Sequence, residues 1–379
     1  MAKAEKNPFI YGEIVKGECF ADREDELREL VSALEASQKI FLISPRRYGK
    51  TSLIFKTLDN LKKKGFLCVY VDLFRISSLK QFLEIYTKEL TKNTEKKVEA
   101  MIRLMSDILR GLRPKTSIDL DGTLNITIDY TPKEEDVYTA LDSIYESPWK
   151  ISRKKKKKVV VVFDEFQELI SLAGEKIEKP MRAAIQHQRN VGYVFAGSKK
   201  QLLYDMVSNK NRAFYKMGKT MILHKIPREK FKPFLEKKFI STGFKLSAGV
   251  VEKILDLTDD CPYNAQYLCS ELWEGKRSVR KIKADDVEKI LDSIIVKESP
   301  LYEALWDTLS SHQKRLMKAI SIQKENMIYS RAFIEENELA TTASVTTSVN
   351  ALIKKGFLDK EKGDYAITDN FFKYWIARA

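Results

Sequence analysis

Cysteine and histidine are scarce in this chain of 379 residues: there are four cysteines, Cys19, Cys68, Cys261 and Cys269, without a C-x-x-C pair, and three histidines. That inventory argues against a zinc site, and the cysteine usage fits a reducing cytosol. No stretch reaches the roughly 18 apolar residues of a membrane span. Residues 1–8 are short and polar, without the apolar core of a signal peptide. Repeats of fixed period are absent, as is low complexity beyond one lysine run. The expectation is a soluble, cytoplasmic protein with no membrane partner.

What is present is a chain 44% hydrophobic and 32% charged, long enough for two or three domains with sizeable cores. The formal net charge of +14 makes an acidic partner attractive: a nucleic acid, a nucleotide or an anionic surface. The longest basic run, residues 153–158, precedes an apolar strand and reads as a solvated loop or a contact for such a partner.

The most informative stretch is Ser44-Pro45-Arg46-Arg47-Tyr48-Gly49-Lys50-Thr51-Ser52, set between the apolar run Ile40-Phe41-Leu42-Ile43 and a helical pattern over residues 53–61. Strand, loop and helix in that order make a phosphate loop. Backbone N–H groups and the positive end of the helix dipole point at phosphate oxygens, while Lys50 reaches the β- and γ-phosphates and Thr51 holds Mg²⁺. Ser44 replaces the first glycine of G-x-x-x-x-G-K-[ST], while Gly49, Lys50 and Thr51 keep the positions that make the contacts.

Before this loop, Asp22 is a candidate cap for a helix with apolar residues Leu27, Leu30, Val31 and Leu34 at helical spacing. After it come a strand at 68–74 and a helix over 78–90 carrying Phe82, Ile85 and Tyr86. Residues 91–132 read as an insertion: a charged helix (95–112), then alternation around Asp121-Gly122, a hairpin turn signal. A helix over 134–145 returns the chain to the core.

The run Val159-Val160-Val161-Val162-Phe163 is apolar throughout, as in a strand buried on both faces of a parallel sheet, and ends in Asp164-Glu165-Phe166-Gln167. At the carboxyl end of such a strand, Asp164 is placed for the Mg²⁺ shell and Glu165 for orienting an attacking water. Without a phosphate loop the same acids would read as a helix cap. In sequence, the 68–74 strand lies between this strand and the phosphate-loop strand, the spacing of ATPases with an added central strand and a catalytic glutamate. After a helix near 180–188 comes a fourth strand, 193–198. Its Ser198 is a candidate γ-phosphate sensor, or the start of the next helix. Arg212, ahead of a fifth strand at 220–223, is a candidate finger for a neighbouring subunit's nucleotide, or an ordinary surface arginine.

Residues 227–296 read as helices only, a lid with Phe231, Phe234, Leu235 and Phe239 on one face and Val251, Ile254 and Leu255 on another. Cys261-Pro262-Tyr263 breaks it at a helix start, where Pro262 is a candidate adenine contact. From about Pro300 the rhythm is winged helix-turn-helix: helices over 311–320, 330–337 and 342–355, then two short strands around Lys362-Gly363. Val345, Val349, Leu352 and Ile353 would bury the third helix, leaving Ser344, Thr347, Asn350 and Lys354 outward, with Lys360 and Lys362 on the wing. Such a face suits DNA, a protein partner or a purely structural role.

The sequence resembles the archaeal-type ATPases of the AAA+/STAND class. The resemblance spans nearly the whole chain, through Asn7-Pro8-Phe9, Phe20-Ala21-Asp22-Arg23-Glu24, residues 44–53, Phe163-Asp164-Glu165-Phe166-Gln167, the Cys261-Pro262-Tyr263 turn and the terminal winged helix. It implies an ATP-driven switch and adds Arg23 and Pro262 to the nucleotide-contacting residues. The family's turn reads Gly-x-Pro, and here Asp260 stands in the glycine position. No arginine of the lid stands as a second nucleotide sensor, which argues against a ring motor.

The expected architecture is an α/β P-loop NTPase with an AAA+-like parallel sheet over residues 1–226 (insertion about 91–132), a helical lid over 227–298 and a winged helix over 299–379. The expected function is Mg²⁺-dependent, slow ATP hydrolysis by a switch that acts on DNA or a protein partner, as a monomer or homo-oligomer. The alternatives are a non-hydrolysing, nucleotide-gated scaffold, a DNA-binding regulator that holds ATP, and a DNA-remodelling or transposition-associated ATPase.

Overall fold

The computed structural model describes residues 6–14, 23–109, 112, 114–118, 124–128, 133–198, 200–322, 327–361 and 364–378. Asp22, the Asp121-Gly122 turn and the wing residue Lys362 lie outside them. The chain divides into two units, residues 14–224 and residues 1–13 with 225–379.

The core unit (14–224) runs α1 (Glu24–Glu35), β1 (Lys39–Ile43), α2 (Lys50–Lys63), β2 (Leu67–Asp72), α3 (Leu79–Thr94), α4 (Val98–Ile108), β3 (Lys115–Ile118) and β4 (Leu124–Thr127). It continues through α5 (Glu134–Lys155), β5 (Val159–Asp164), α6 (Gln167–Ala173), α7 (Glu175–Ile185), β6 (Val191–Gly197), α8 (Lys200–Ser208) and β7 (Lys219–Ile222). Five strands form a parallel sheet in the order β2-β5-β6-β1-β7. Because successive side chains alternate between faces, Phe41, Val69, Val161, Phe163 and Phe195 join one core with residues of α3, α5, α6 and α7. Ile40, Leu42, Cys68, Val160, Val162 and Val194 join a second with α1 and α2. Helices on both faces are why β5 is buried at every position.

The strand that separates β1 from β5 is β6, while β2 forms the sheet edge. The added central strand is thus the fourth of the sheet in sequence, not the one at 68–74 that intervenes in the chain. The chain leaves β1 for that far edge and returns through β5 and β6, so the loops after β1, β5 and β6 end side by side at one rim.

Several element ends differ from the sequence reading. Arg23, with no side-chain cap bond, occupies the N-cap of α1. The insertion's helix is shorter than 95–112, and β3 and β4 pair antiparallel beyond it. Helix α5 continues past Tyr145 through Pro148 to Lys155, because Ile151 and Ser152 are buried beyond the proline and their packing outweighs one missing N–H.

The second unit contains α9 (Arg228–Ser241), β8 (Lys245–Leu246), α10 (Val250–Leu257), α11 (Pro262–Gly275), β9 (Lys281–Ile282), α12 (Ala284–Asp307) and α13 (Ser311–Ile322). There follow α14 (Arg331–Glu336), α15 (Thr342–Lys355), β10 (Leu358–Glu361), β11 (Asp364–Ile367) and α16 (Asn370–Arg378). The stretch expected to be all helical holds a two-residue parallel pair, β8 with β9. Helix α12 runs unbroken through Pro300, with Ile294, Ile295 and Tyr302 buried on either side of it. On α15, Ser344 turns toward His312, and Ile353 is 37% exposed rather than buried. Among the described residues, no helix is long and apolar enough to cross a membrane.

Candidate nucleotide-binding site

The rim where β1, β5 and β6 end gathers the phosphate-loop and Asp-Glu motifs. Ser44 is fully buried, its N–H donating to Gly197 O at 3.2 Å, and its side chain fills the place where the strict motif has glycine. The loop reaches α2 through two left-handed residues, Arg47 (φ 69°) and Gly49 (φ 84°). Only glycine adopts such a φ without strain, so the Gly49 requirement is a backbone one. Arg46 and Arg47 are exposed, Pro45, Tyr48 and Thr51 half-buried, and Ser52 buried.

Lys50, at the first turn of α2, is 6% exposed. Its ammonium lies 2.5 Å from Asp164 Oδ1 and 2.7 Å from Glu165 Oε1. Asp164 Oδ2 accepts from the Thr51 hydroxyl at 3.0 Å and from the Tyr70 hydroxyl at 2.9 Å, and Oδ1 accepts from the Glu165 N–H at 3.0 Å. Burial, then the Asp164 charge and hydrogen bond, push the Tyr70 hydroxyl far above its ordinary pKa, so it stays a neutral donor. The Thr51 hydroxyl and one carboxylate are donors suited to Mg²⁺, which keeps waters and nucleotide phosphates as its other ligands. Among the described residues, no group of three or more His, Cys, Asp or Glu is placed to hold a metal by itself.

Glu165 sits in the left-handed region (φ 52°), unusual for a glutamate and a common mark of a functional turn. Its Oε2 accepts from the Ser198 hydroxyl at 2.9 Å and from the Gln167 amide. Burial opposes its ionisation, but the Lys50 charge and the bonds from Lys50, Gln167 and Ser198 outweigh it and hold the carboxyl below its ordinary range. Ser198 therefore meets Glu165 from the end of β6, ahead of α8 rather than inside it. Gln167 is fully buried, and its Oε1 has no hydrogen-bond partner. A Cβ on Gly197 would stand 2.0 Å from that oxygen, so glycine at the end of β6 is what lets the amide reach Glu165.

Other expected residues are placed differently. Arg23, 2% exposed, is turned into the fold: its guanidinium pairs with Glu26 at 2.9 Å and donates to Tyr48 O at 3.0 Å and His224 O at 2.8 Å. It braces the phosphate loop from behind instead of offering a charge to a ligand. Arg212 is also committed internally, to both oxygens of the fully buried Glu178 and to Asp205 at 2.9 Å. A finger for a neighbouring subunit must present a free guanidinium, and this one neutralises a buried carboxylate. Pro262 begins α11 in the second unit. The Asp260 before it has φ 55°, the conformation a glycine would favour there, and Arg228 Nε holds its carboxylate at 2.7 Å. In the same unit, Asn7 donates to Ser270 Oγ at 3.0 Å, and Phe9 packs on Phe239.

Tyr70 and Gly197 were not singled out by sequence, and Gln167 was quoted only as the last residue of the Asp-Glu string, without a role. Tyr70 matters through Asp164 on the neighbouring strand, and Gly197 through the room it leaves for Gln167.

A parallel sheet with a phosphate loop at its switch point, a buried Lys-Asp pair beside it and a C-terminal winged helix defines a P-loop ATPase of AAA+-like type. A model of the ATPase domain found predominantly in Archaea matches residues 20–268, and the chain belongs to that family. A winged-helix domain model matches residues 300–378. No curated protein matches the chain. Among solved structures it is similar to a Walker-type ATPase of Pyrococcus abyssi, with TM-score 0.62 and 17% identity over 95% of this chain and 97% of that one. It is also similar to the ORC2 protein of Aeropyrum pernix in its ADPNP-ADP complexes, with TM-score 0.60 and 14% identity over 99% and 98%. The ORC1 protein of the same organism, in complex with DNA, aligns with TM-score 0.52 and 14% identity over 96% and 94%. At these identities the likeness is one of fold.

Proposed function

We propose that the chain binds ATP at the loop of residues 44–52, hydrolyses it slowly with Mg²⁺, and uses the cycle as a switch whose output is read by the winged helix. The observation that supports this most is the convergence of Lys50, Thr51, Asp164 and Glu165 at the end of the phosphate-loop strand, at hydrogen-bond distance of one another. Thr51 and Asp164 would hold the Mg²⁺, which neutralises developing phosphate charge. The loop N–H groups and Lys50 bind the phosphates. When Lys50 turns to them it leaves Glu165, whose carboxylate then takes a water proton and orients the attack, with Ser198 and Gln167 fixing its direction. While Lys50 is paired with it, Glu165 is held ionised below its ordinary range, and the departure of Lys50 removes the main cause of that lowering and raises its basicity.

On the winged helix, Thr346, Thr347, Asn350 and Lys354 present a polar exposed face on α15, suited to a partner: DNA, with which Aeropyrum pernix ORC1 forms a complex, or protein.

The test is ATP turnover and ATP affinity of the parent and Glu165→Gln. Turnover should fall by about 10² or more with affinity retained, as on loss of a general base. Equal turnover in both, or none in the parent, would leave a nucleotide-gated scaffold.

A further inference from the structure

The rim opposite the phosphate loop is lined with cations, densest where β2, β5 and β6 are entered, while at the β1–β7 end Lys39 donates to Gln188 O at 2.9 Å and Lys219 pairs with Glu29. Strand β2 is entered after residues 62–64, all lysine, and β5 after residues 156–158, also lysine. Arg189 stands just before β6, Lys39 opens β1 and Lys219 opens β7. The register brings these approaches together, since Leu67 pairs with Val159, Val159 with Val191 and Ile40 with Lys219. Four strand spacings span about 19 Å. Helices α2 and α5, packed on opposite faces of the sheet, both end here, so residues 62–64 and 153–158 flank the rim from its two sides.

Lys62, Lys63, Arg153, Lys154, Lys156, Lys157, Lys158 and Arg189 are exposed, and among the described residues none has a carboxylate at ion-pair distance. Among the described residues, Glu35, Glu95 and Glu29 reach the rim, pairing with Lys64, Lys155 and Lys219. At the β1–β7 end the rim opens into a cavity of about 530 Å³ lined by Lys39, Lys219, Gln38 and Gln186. Lysines in a last helical turn stabilise the helix end. That accounts for residues 62, 63 and 153–155, but not for the run continuing through 158 or for Arg189.

We infer that this rim binds the phosphate backbone of duplex DNA without reading its sequence. This goes beyond the switch reading: it needs neither ATP turnover nor the winged helix. Lys158 donates to Glu35 O at 2.6 Å and Arg153 lies over the Trp149 ring, but neither contact carries a counter-charge, so these like charges repel one another unless a polyanion neutralises them. A duplex carries about one phosphate charge per 1.7 Å of its axis, a charge density that matches a cluster of this size on the side it presents. Among the described residues, no large apolar side chain is exposed within 59–66, 149–158 or 186–190. The half-buried Trp149 and Phe66 lie beneath Arg153 and Lys158, so the rim presents cations rather than an exposed apolar anchor for a protein or a lipid surface.

The test uses the full chain and fluorescence anisotropy of a labelled duplex of arbitrary sequence, at salt from about 50 to about 200 mM. Lys63→Glu/Lys154→Glu/Lys157→Glu should weaken binding at least tenfold at the low-salt end and flatten the log–log salt slope by about 2.7, at about 0.9 per phosphate contact. Its ATP affinity should match the parent, while the two reversals in the last helical turns lower its melting temperature by a few degrees at most. Lys354→Glu/Lys360→Glu, on the winged helix, should leave a salt-dependent component that the triple variant lacks. Parental affinity and slope in the triple variant would overturn the inference. So would loss of all binding in the winged-helix variant alone, or a parent that binds phosphatidylserine vesicles and no duplex.

Discussion

Replacing Lys50 by alanine should destabilise the protein even without nucleotide, which a residue serving only a ligand would not do. The Lys50 and Asp164 side chains are 7% and 4% exposed, and removing one partner of a buried pair costs about 3–5 kcal/mol. Here the stranded Asp164 keeps the Thr51 and Tyr70 hydroxyls and the Glu165 N–H, and hydrogen bonds to a charged group are its best remaining compensation. The expected loss in Lys50→Ala is therefore nearer about 2–3 kcal/mol, or about 5–10 °C in melting temperature for a unit of this size. Circular dichroism melts at neutral pH, with no nucleotide present, read it directly. Asp164→Asn added to Lys50→Ala removes the uncompensated charge and should recover most of the loss. Mg-ATP at a hundredfold excess over Kd should stabilise the parent by about 2.7 kcal/mol and the variant hardly at all. A Lys50→Ala protein that melts with the parent, or a double variant that recovers nothing, would refute the assignment of the buried pair.

Gly197→Ala should be costlier than an ordinary glycine-to-alanine change in a strand, because the new Cβ stands 2.0 Å from Gln167 Oε1 and 2.6 Å from Leu203 Cδ1. Overpacking of this kind costs about 1–3 kcal/mol, and displacing Gln167 should lower turnover more than ATP affinity; unchanged melting and turnover would remove the positioning role of Gln167. Because the folded-state pKa of Glu165 lies below its ordinary 4.5, the stability its charge contributes is full above that value and lost as pH falls through the folded one. The melting difference between parent and Glu165→Gln should thus stay constant from neutral pH down to about 5 and shrink in stronger acid; a difference that persists unchanged there contradicts the Lys50 pairing.

The phosphate loop and the Asp-Glu pair were legible because each is a local device. A strand, a left-handed glycine and a helix start leave their marks within nine consecutive residues, and an all-apolar run ending in acids announces a doubly covered strand. Their pairing followed from parallel-sheet topology alone. The apolar faces of the helices were legible for the same reason, although Pro148 and Pro300 looked like ends and are not. A missing N–H costs one hydrogen bond, and burial on both sides of each proline exceeds that cost.

Residue type and spacing alone determined a P-loop ATPase with a winged helix, its loop, its acids and its basic excess. Only the tertiary structure decided what each charge faces. Arg23 and Arg212 carry the residue type that phosphates favour, yet one holds Tyr48 O and the other a buried Glu178, partners 25 and 34 residues away. Tyr70 meets Asp164 across 94 residues, and Gln167 reaches Glu165 only because Gly197, on the neighbouring strand, has no side chain. The basic rim likewise joins separate stretches of chain that become neighbours when β2, β5, β6, β1 and β7 align in parallel. A sequence records the charge a residue carries, while the strand register sets the distance to its counter-charge, and electrostatic energy depends on that distance.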